Sequence, residues 1–311
     1  MSFTYIDLFA GIGGFHQAAD SLGGKCLLAS EIDVEAKRAY TANYNLSPHG
    51  DITKIDAKDI PDHDVLLAGF PCQPFSIIGN RLGFDDIRGT LFFEIARILE
   101  EKTPRLFVLE NVKQLSRHNK GKTLQTIIHT LENLGYKVYW NVLNALDFGL
   151  PQKRERTVIV GFLDNDVCFS FPTNKTTGRL EDILEPDEDV DAKFFASERI
   201  IEKRLEKHQS KFFPSVWHEN KSGNISSYPY SCALRAGASY NYLLVNGRRR
   251  LTSREMLRLQ GFPDTFKIVC SDSQTRKQAG NAVPVNVIKA VLKDALHAEA
   301  EAEGQRRERA V

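Results

Sequence analysis

The chain has 311 residues, 42% hydrophobic and 26% charged, with 41 Lys/Arg against 40 Asp/Glu. That is the profile of an ordinary folded protein with two domains, or one large domain carrying an insertion. No apolar stretch approaches a membrane span, and the N-terminus enters a predicted strand with no signal peptide, so a cytoplasmic protein without membrane contact is expected.

The five cysteines (Cys26, Cys72, Cys168, Cys232, Cys270) are odd in number and contain no CxxC pair. This excludes zinc and thioredoxin-like readings, leaves no metal site expected, and fits a reducing compartment. Net charge is +1, but it is unevenly spread: 102–122 holds six Lys/Arg against one acid, 193–254 twelve against four, and 181–191 seven acids. Such local basic surfaces can meet phosphates.

Residues 3–8 read as a short strand, followed by Phe9-Ala10-Gly11-Ile12-Gly13-Gly14-Phe15 and a helical pattern to residue 22. Strand, glycine turn and helix N-terminus form a cradle for a nucleotide-like ligand, although Gly-x-Gly-Gly falls short of the dinucleotide fingerprint. A second strand, 25–30, ends in Glu31-Ile32-Asp33, about where ribose hydroxyls are bound in such folds. Asp51 is expected at a further strand end. Acids in these places would repel a pyrophosphate and suit an adenosine without phosphates, so S-adenosylmethionine fits better than NAD or ATP.

The apolar run Val65-Leu66-Leu67-Ala68 predicts a buried strand that stops at Gly69-Phe70-Pro71-Cys72-Gln73-Pro74. A thiol framed by prolines beyond a strand end is a candidate nucleophile; the competing reading is a small buried hydrophobe. The Gly-rich stretch 77–88 reads as a segment that closes over a substrate. A helix over 91–101 and a strand over 105–109 lead to Glu110-Asn111-Val112, a carboxylate at a strand end facing the Cys72 loop.

A helix over 123–134 and a strand over 136–143 precede Gln152-Lys153-Arg154-Glu155-Arg156. Strand alternation would send both arginines to one face, suited to an anionic or carbonyl-rich ligand. Beyond 175 the alternating pattern dissolves, and 222–246 is rich in Ser, Gly, Asn and Tyr, as a domain reading a polar partner would be. Thr252 and Glu255 form an expected capping box for a helix over 251–261. Gly280-Asn281-Ala282-Val283-Pro284 precedes an amphipathic helix to about residue 298.

With these motifs in this order, the chain resembles the bacterial restriction–modification type of DNA (cytosine-5)-methyltransferase, over nearly its whole length. The resemblance implies an α/β fold: a Rossmann-like mixed sheet with helices on both faces, of the S-adenosylmethionine-dependent kind, plus a smaller irregular target-recognition domain. The expected boundaries are 1–174 for catalysis, 175–272 for target recognition, 273–300 for a helical region returning to the catalytic domain, and 301–311 for a frayed tail.

It further implies cofactor contacts at Phe9, Gly11, Ile12, Gly13, Gly14, Glu31, Ile32, Asp51, Ile52, Phe70, Leu91, Asn281 and Ala282. Cys72, Glu110, Arg154 and Arg156 are the implied catalytic set, the arginines holding the base carbonyl and the Cys72 loop, and Glu110 needing a raised carboxyl pKa in a dry pocket. Expected DNA contacts are Ser76, Arg81, Arg88, Arg235, Tyr242, Arg248, Arg249 and Arg250. The implied partner is duplex DNA in the bacterial nucleoid, read by a monomer, with any cognate restriction endonuclease acting separately. Two rivals remain at this point: a tRNA cytosine-5 methyltransferase, which shares the Pro-Cys-Gln motif, and a binding protein without catalysis.

Overall fold

A computed structural model of the chain describes residues 2–71, 91–173, 175–220, 222–238 and 243–309. It divides into two units. The first comprises Met1–Leu143, Glu155–Thr173 and Val287–Val311, and the second Asn144–Arg154 with Asn174–Asn286.

In the first unit strands and helices alternate: β1 (Phe3–Leu8), α1 (Gly14–Asp20), β2 (Gly24–Ser30), α2 (Val34–Tyr44), β3 (Val65–Gly69), α3 (Leu91–Lys102), β4 (Leu106–Val112), α4 (Lys122–Asn133) and β5 (Lys137–Asn144). After the two-residue β6 (Gln152–Lys153), β7 (Glu155–Phe162) completes a six-stranded sheet of order β2-β1-β3-β4-β7-β5. Strands β1 to β4 pair in parallel and β7 runs antiparallel to β4, so the sheet is mixed.

Central strands of a sheet covered on both faces read as unbroken apolar runs, and Val65 to Ala68 of β3 are all fully buried. Adjacent residues point to opposite faces. Leu28 of β2 joins a cluster with Phe92, Ile95 and Leu99 of α3 and Leu124, Ile127 and Leu131 of α4. Its neighbour Ala29 joins Ala10 and Tyr40 of α2.

The second unit carries α5 (Glu198–Lys207), β8 (Val216–Glu219), β9 (Ile225–Tyr228), β10 (Ser231–Cys232), β11 (Leu243–Val245), β12 (Arg249–Arg250), α6 (Ser253–Leu259) and α7 (Asp272–Asn281). Its four-stranded sheet has the order β12-β11-β8-β9, and β10 pairs in parallel with β6. The capping box at the start of α6 is present as expected, Thr252 accepting from the Glu255 N–H and Glu255 from the Thr252 N–H.

Three boundaries differ from the sequence reading. Residues 144–154 belong with the second unit, because β6 pairs with β10. Residues 273–286 also belong there, and the change back to the first unit comes at Val287. Finally α8 (Val285–Arg309) runs on through the stretch expected to fray. Arg105 pairs with Glu299 and Asp164 with Arg306, which fixes the last turns of α8 to the first unit beyond what its apolar spacing indicates.

Candidate active site

The carboxyl ends of β1, β2 and β3 converge on the glycine turn. Phe9, Gly11 and Gly13 all have positive φ (56°, 56° and 86°), so the chain folds back tightly before α1. The turn is tied down by Ala10 N–H to the Ser30 carbonyl (2.9 Å) and Gly11 N–H to Glu31 Oε2 (2.7 Å). Glu31 Oε1 accepts the Asp33 N–H at 2.8 Å, and Asp33 caps α2 through Oδ1. Each oxygen of Glu31 therefore spends one lone pair on backbone and keeps one.

Asp51 does not end a strand as expected. An isolated bridge joins Ser30 to His49, and Asp51 then caps a short 3₁₀ turn, its Oδ1 accepting the Thr53 N–H and hydroxyl. Those two bonds hold its carboxyl below the usual carboxylate range. The bridge still ties this segment to the end of β2, the Glu31 N–H donating to the His49 carbonyl at 2.9 Å two residues before Asp51.

These residues fit an adenosine-type cofactor. A Cβ built on Gly11 meets nothing within 4 Å, which leaves open space beside the turn. Ile32 stands 72% exposed next to Glu31, an apolar surface with no protein cover. Ile12, Ile52 and Phe70 are buried and back the site from the core, while Leu91 opens α3 half-buried. In the second unit, Asn281 is exposed at the end of α7 and Ala282 is buried.

Beneath the turn lies a polar network that sequence reasoning missed. His16 bridges the Tyr40 hydroxyl (2.6 Å) and Asp20 (3.0 Å), the Tyr5 hydroxyl donates to Asp20 (2.8 Å), and Tyr44 stacks on His16 at 3.9 Å. The Tyr44 hydroxyl donates to the Gly13 carbonyl at 3.0 Å. Asp7 is fully buried, and neither of its oxygens has a hydrogen-bond partner in good geometry. Burial first, then the charge of Glu31, push its carboxyl well above the ordinary range against the His16 N–H. Burial without a charged partner thus disfavours the ionised form of Asp7, whereas Glu31 and Asp51 sit nearer the surface. Burial likewise pushes the Cys26 thiol up to about 12, which makes it inert. The signal available in sequence was one acid closing β1 and two tyrosines spaced four apart on a helix.

A Gly13 Cβ would lie 2.3 Å from the Tyr44 ring, at a φ that side chains rarely adopt. We expect Gly13→Ala to weaken cofactor binding at least about tenfold by distorting the turn, with calorimetric titration as the check.

On the next strands, Gly69 of β3 and Glu110 of β4 are register partners. The Arg156 Nε lies 2.7 Å from Glu110 Oε1, both side chains at most 14% exposed. This is a carboxylate and guanidinium locked together in a pocket largely closed to solvent, and the guanidinium opposes the raised carboxyl pKa expected for Glu110. Asn111, buried, donates to the Phe70 carbonyl at 3.0 Å and so holds the backbone leading to Cys72. Lys113 takes the intervening acid, Glu155, at 2.6 Å. Cys72 itself lies outside the described residues, as do Ser76, Arg81, Arg88 and Tyr242.

Arg154 departs from the expectation that both arginines face one ligand. Its guanidinium is 1% exposed and donates to the carbonyls of Leu234 (2.9 Å), Gly280 (3.0 Å) and Ala282 (2.7 Å). A guanidinium so engaged shapes the second unit, whereas Arg156 is the arginine of the motif that pairs with Glu110.

A family model for C-5 cytosine-specific DNA methylases matches residues 3–297. The chain is 57% identical over 290 residues to the Type II methyltransferase M.NgoBI of Neisseria gonorrhoeae, covering 93% of this chain and 91% of that protein. It is 56% identical to the Type II methyltransferase M.HaeII of Haemophilus aegyptius, over 92% of this chain and 90% of that one. The chain belongs to the C-5 cytosine-specific DNA methylase family.

The fold of the methylase agrees with a solved structure of a putative DNA modification methyltransferase encoded within an Escherichia coli prophage, at TM-score 0.72 and 23% identity over 96% of this chain and 99% of that one. A mutant of Spodoptera frugiperda DNMT2 matches at TM-score 0.72 and 21% identity, over 93% and 98%. In the methylase, Arg235 and Arg248 are exposed, as DNA contacts must be. Arg250 is half-buried with its guanidinium 5.6 Å over Phe194.

Arg249 is a correction. It is 1% exposed, forked onto both Glu255 oxygens at 2.9 Å and paired with Asp187 at 2.6 Å, so it cannot reach a duplex. No helix among the described residues is long and apolar enough to cross a membrane, and no group of His, Cys, Asp or Glu among them could hold a metal.

Proposed function

We propose that this cytosine methyltransferase is the modification enzyme of a type II system in the bacterial cytoplasm. It acts as a monomer on a cytosine swung out of duplex DNA and uses S-adenosylmethionine. The observation that carries this reading is the Glu110–Arg156 pair set in register beside the strand that leads to Cys72. When bound, S-adenosylmethionine supplies an electrophilic methyl group. Phe9 and Gly11 would give it room beside the turn, Glu31 and Asp51 would meet it with two carboxylates, and Ile32 with an apolar side chain.

Carbon 5 of cytosine is too poor a nucleophile to accept that methyl unaided. The Cys72 thiolate adds to carbon 6, forming a C–S bond and moving electron density to carbon 5 and ring N3. Glu110 faces N3. Protonated from solvent as the base docks, it gives that proton to N3 as negative charge develops on the ring and returns to the carboxylate, and Arg156 holds that carboxylate in place and faces the base carbonyl. After methylation a base, water included, removes the carbon 5 proton, and the C–S bond breaks to return the thiolate. Swinging the base from the stack costs a few kcal/mol, offset by contacts along the protein.

The test is bisulfite sequencing of DNA from a methylation-deficient host expressing the chain. Protected cytosines confined to one short motif are expected. Full conversion, with the protein folded and binding S-adenosylmethionine, overturns the DNA reading, and the same treatment of host tRNA then tests the RNA substrate.

A further inference from the structure

The motif that supplies Arg156 also contains Gln152, Lys153 and Arg154, and the second unit shows what they do. Strand β6 pairs in parallel with β10, Gln152 opposite Ser231 and Lys153 opposite Cys232. The Ser231 N–H donates to the Pro151 carbonyl at 2.7 Å. Gln152 is fully buried: its Oε1 accepts the Leu234 N–H at 3.0 Å and its Nε2 donates to the Leu259 carbonyl at 2.8 Å. Arg154 takes the Leu234 carbonyl from the other side at 2.9 Å. Both backbone groups of Leu234 are thus clasped by one short segment. Gly280 closes the arrangement, since a Cβ there would lie 2.3 Å from the Ala236 nitrogen.

That clasp pins Ser231 and Leu234, and it sets what stands on their exposed edge. Lys153 is exposed, and among the described residues it forms no ion pair. Arg235 is exposed one residue beyond the clasped Leu234. The charges of both reach the half-buried Cys232 thiol, where they oppose the upward push of burial. Lys153, the register partner of Cys232, and Arg235, next to the clasped Leu234, are two exposed cations on backbone held by the same clasp, a site for a single phosphodiester.

We propose that Lys153 and Arg235 form a phosphate-holding pair, and that Gln152 and Arg154 are positioning residues that fix it beside the recognition segment. This rests on the reading of the protein as a DNA methyltransferase. A lysine on a flexible stem acts there as a point charge, which positions the duplex without reading its bases.

The test is fluorescence anisotropy of the full chain with two labelled duplexes, one carrying the methylated motif and one lacking it, across a range of salt. Each phosphate contact contributes close to one to the slope of log Kd against log salt. Lys153→Gln is expected to lower that slope by about one and to weaken both duplexes equally, roughly tenfold at about 0.1 M salt. Lys153→Arg is expected to restore both, and Lys153→Glu to weaken binding further, with the thermal midpoint unmoved in all three. An unchanged slope in Lys153→Gln and Lys153→Glu overturns the proposal, and so does a loss confined to the target duplex. Salt-independent binding by the wild-type chain would instead count against the DNA reading itself, so the two failures are distinct.

Discussion

Cys72→Ala is expected to abolish methyl transfer, by about 10⁴-fold or more, while duplex binding changes little. Without a thiolate at carbon 6, carbon 5 never becomes nucleophilic, and no neighbouring group can substitute, because the hydroxyls and carboxylates of the chain add far less readily to the ring. The described surroundings point the same way. β3 delivers the chain to Gly69 in register with Glu110, and Asn111 holds the Phe70 carbonyl, so the chain is held at both residues 69 and 70. The measurement is incorporation of labelled methyl groups into a duplex carrying the target, beside anisotropy on the same duplex. Retained methylation in the mutant sinks the covalent mechanism. Loss of both methylation and binding would show that Cys72 matters to the docked state and not to the chemistry alone.

Arg249→Ala is expected to destabilise the second unit by about 3–5 kcal/mol, because it strands a buried carboxylate. Glu255 is fully buried and receives four donors: two from Arg249, the Thr252 N–H at 2.8 Å and the Glu185 N–H at 2.9 Å. Burial pulls the Arg249 guanidinium down, and Glu255 and Asp187 outweigh it and raise it, so the guanidinium stays charged. Trp217 is buried in the second unit, and the chain has one other tryptophan, Trp140 in the first. In a Trp140→Phe background, urea unfolding followed by fluorescence reads the second unit. The double change Arg249→Met with Glu255→Leu should recover much of the loss, since an apolar pair needs no compensation. A stable Arg249→Ala protein with weakened duplex binding would mean that Arg249 faces DNA after all.

These two residues mark how far the sequence could be read. Cys72 stands out by local chemistry, because an apolar run that stops at Gly-Phe-Pro-Cys needs only chain order to announce a reactive loop. Arg249 sits among three consecutive arginines that are chemically identical. Their fates diverge because β12 turns Arg249 inward onto Glu255 and leaves Arg248 outside, and inward or outward depends on how a two-residue strand meets its neighbour. The same limit hid the role of Arg154. Alternation placed it on a face with Arg156, but β6 and β7 are separate strands, and the carbonyls it holds come from residues 80 to 128 positions away.

By itself, then, the sequence determined what spacing and local geometry encode. It marked the glycine turn after β1, the acid Glu31 just past β2, the buried run of β3, the capping box of α6, and the order of motifs that names the family, while Glu110, read as following a strand, lies within β4. Only the tertiary structure decided which groups are paired. The Gly69–Glu110 register, the Arg156 contact, the Tyr44 brace on Gly13, the Arg249–Asp187 pair and the Gln152–Arg154 clasp all join residues distant in the chain. The physical reason is that a hydrogen bond or ion pair takes its worth from burial and from the partner that meets it, and neither is a property of the residue alone.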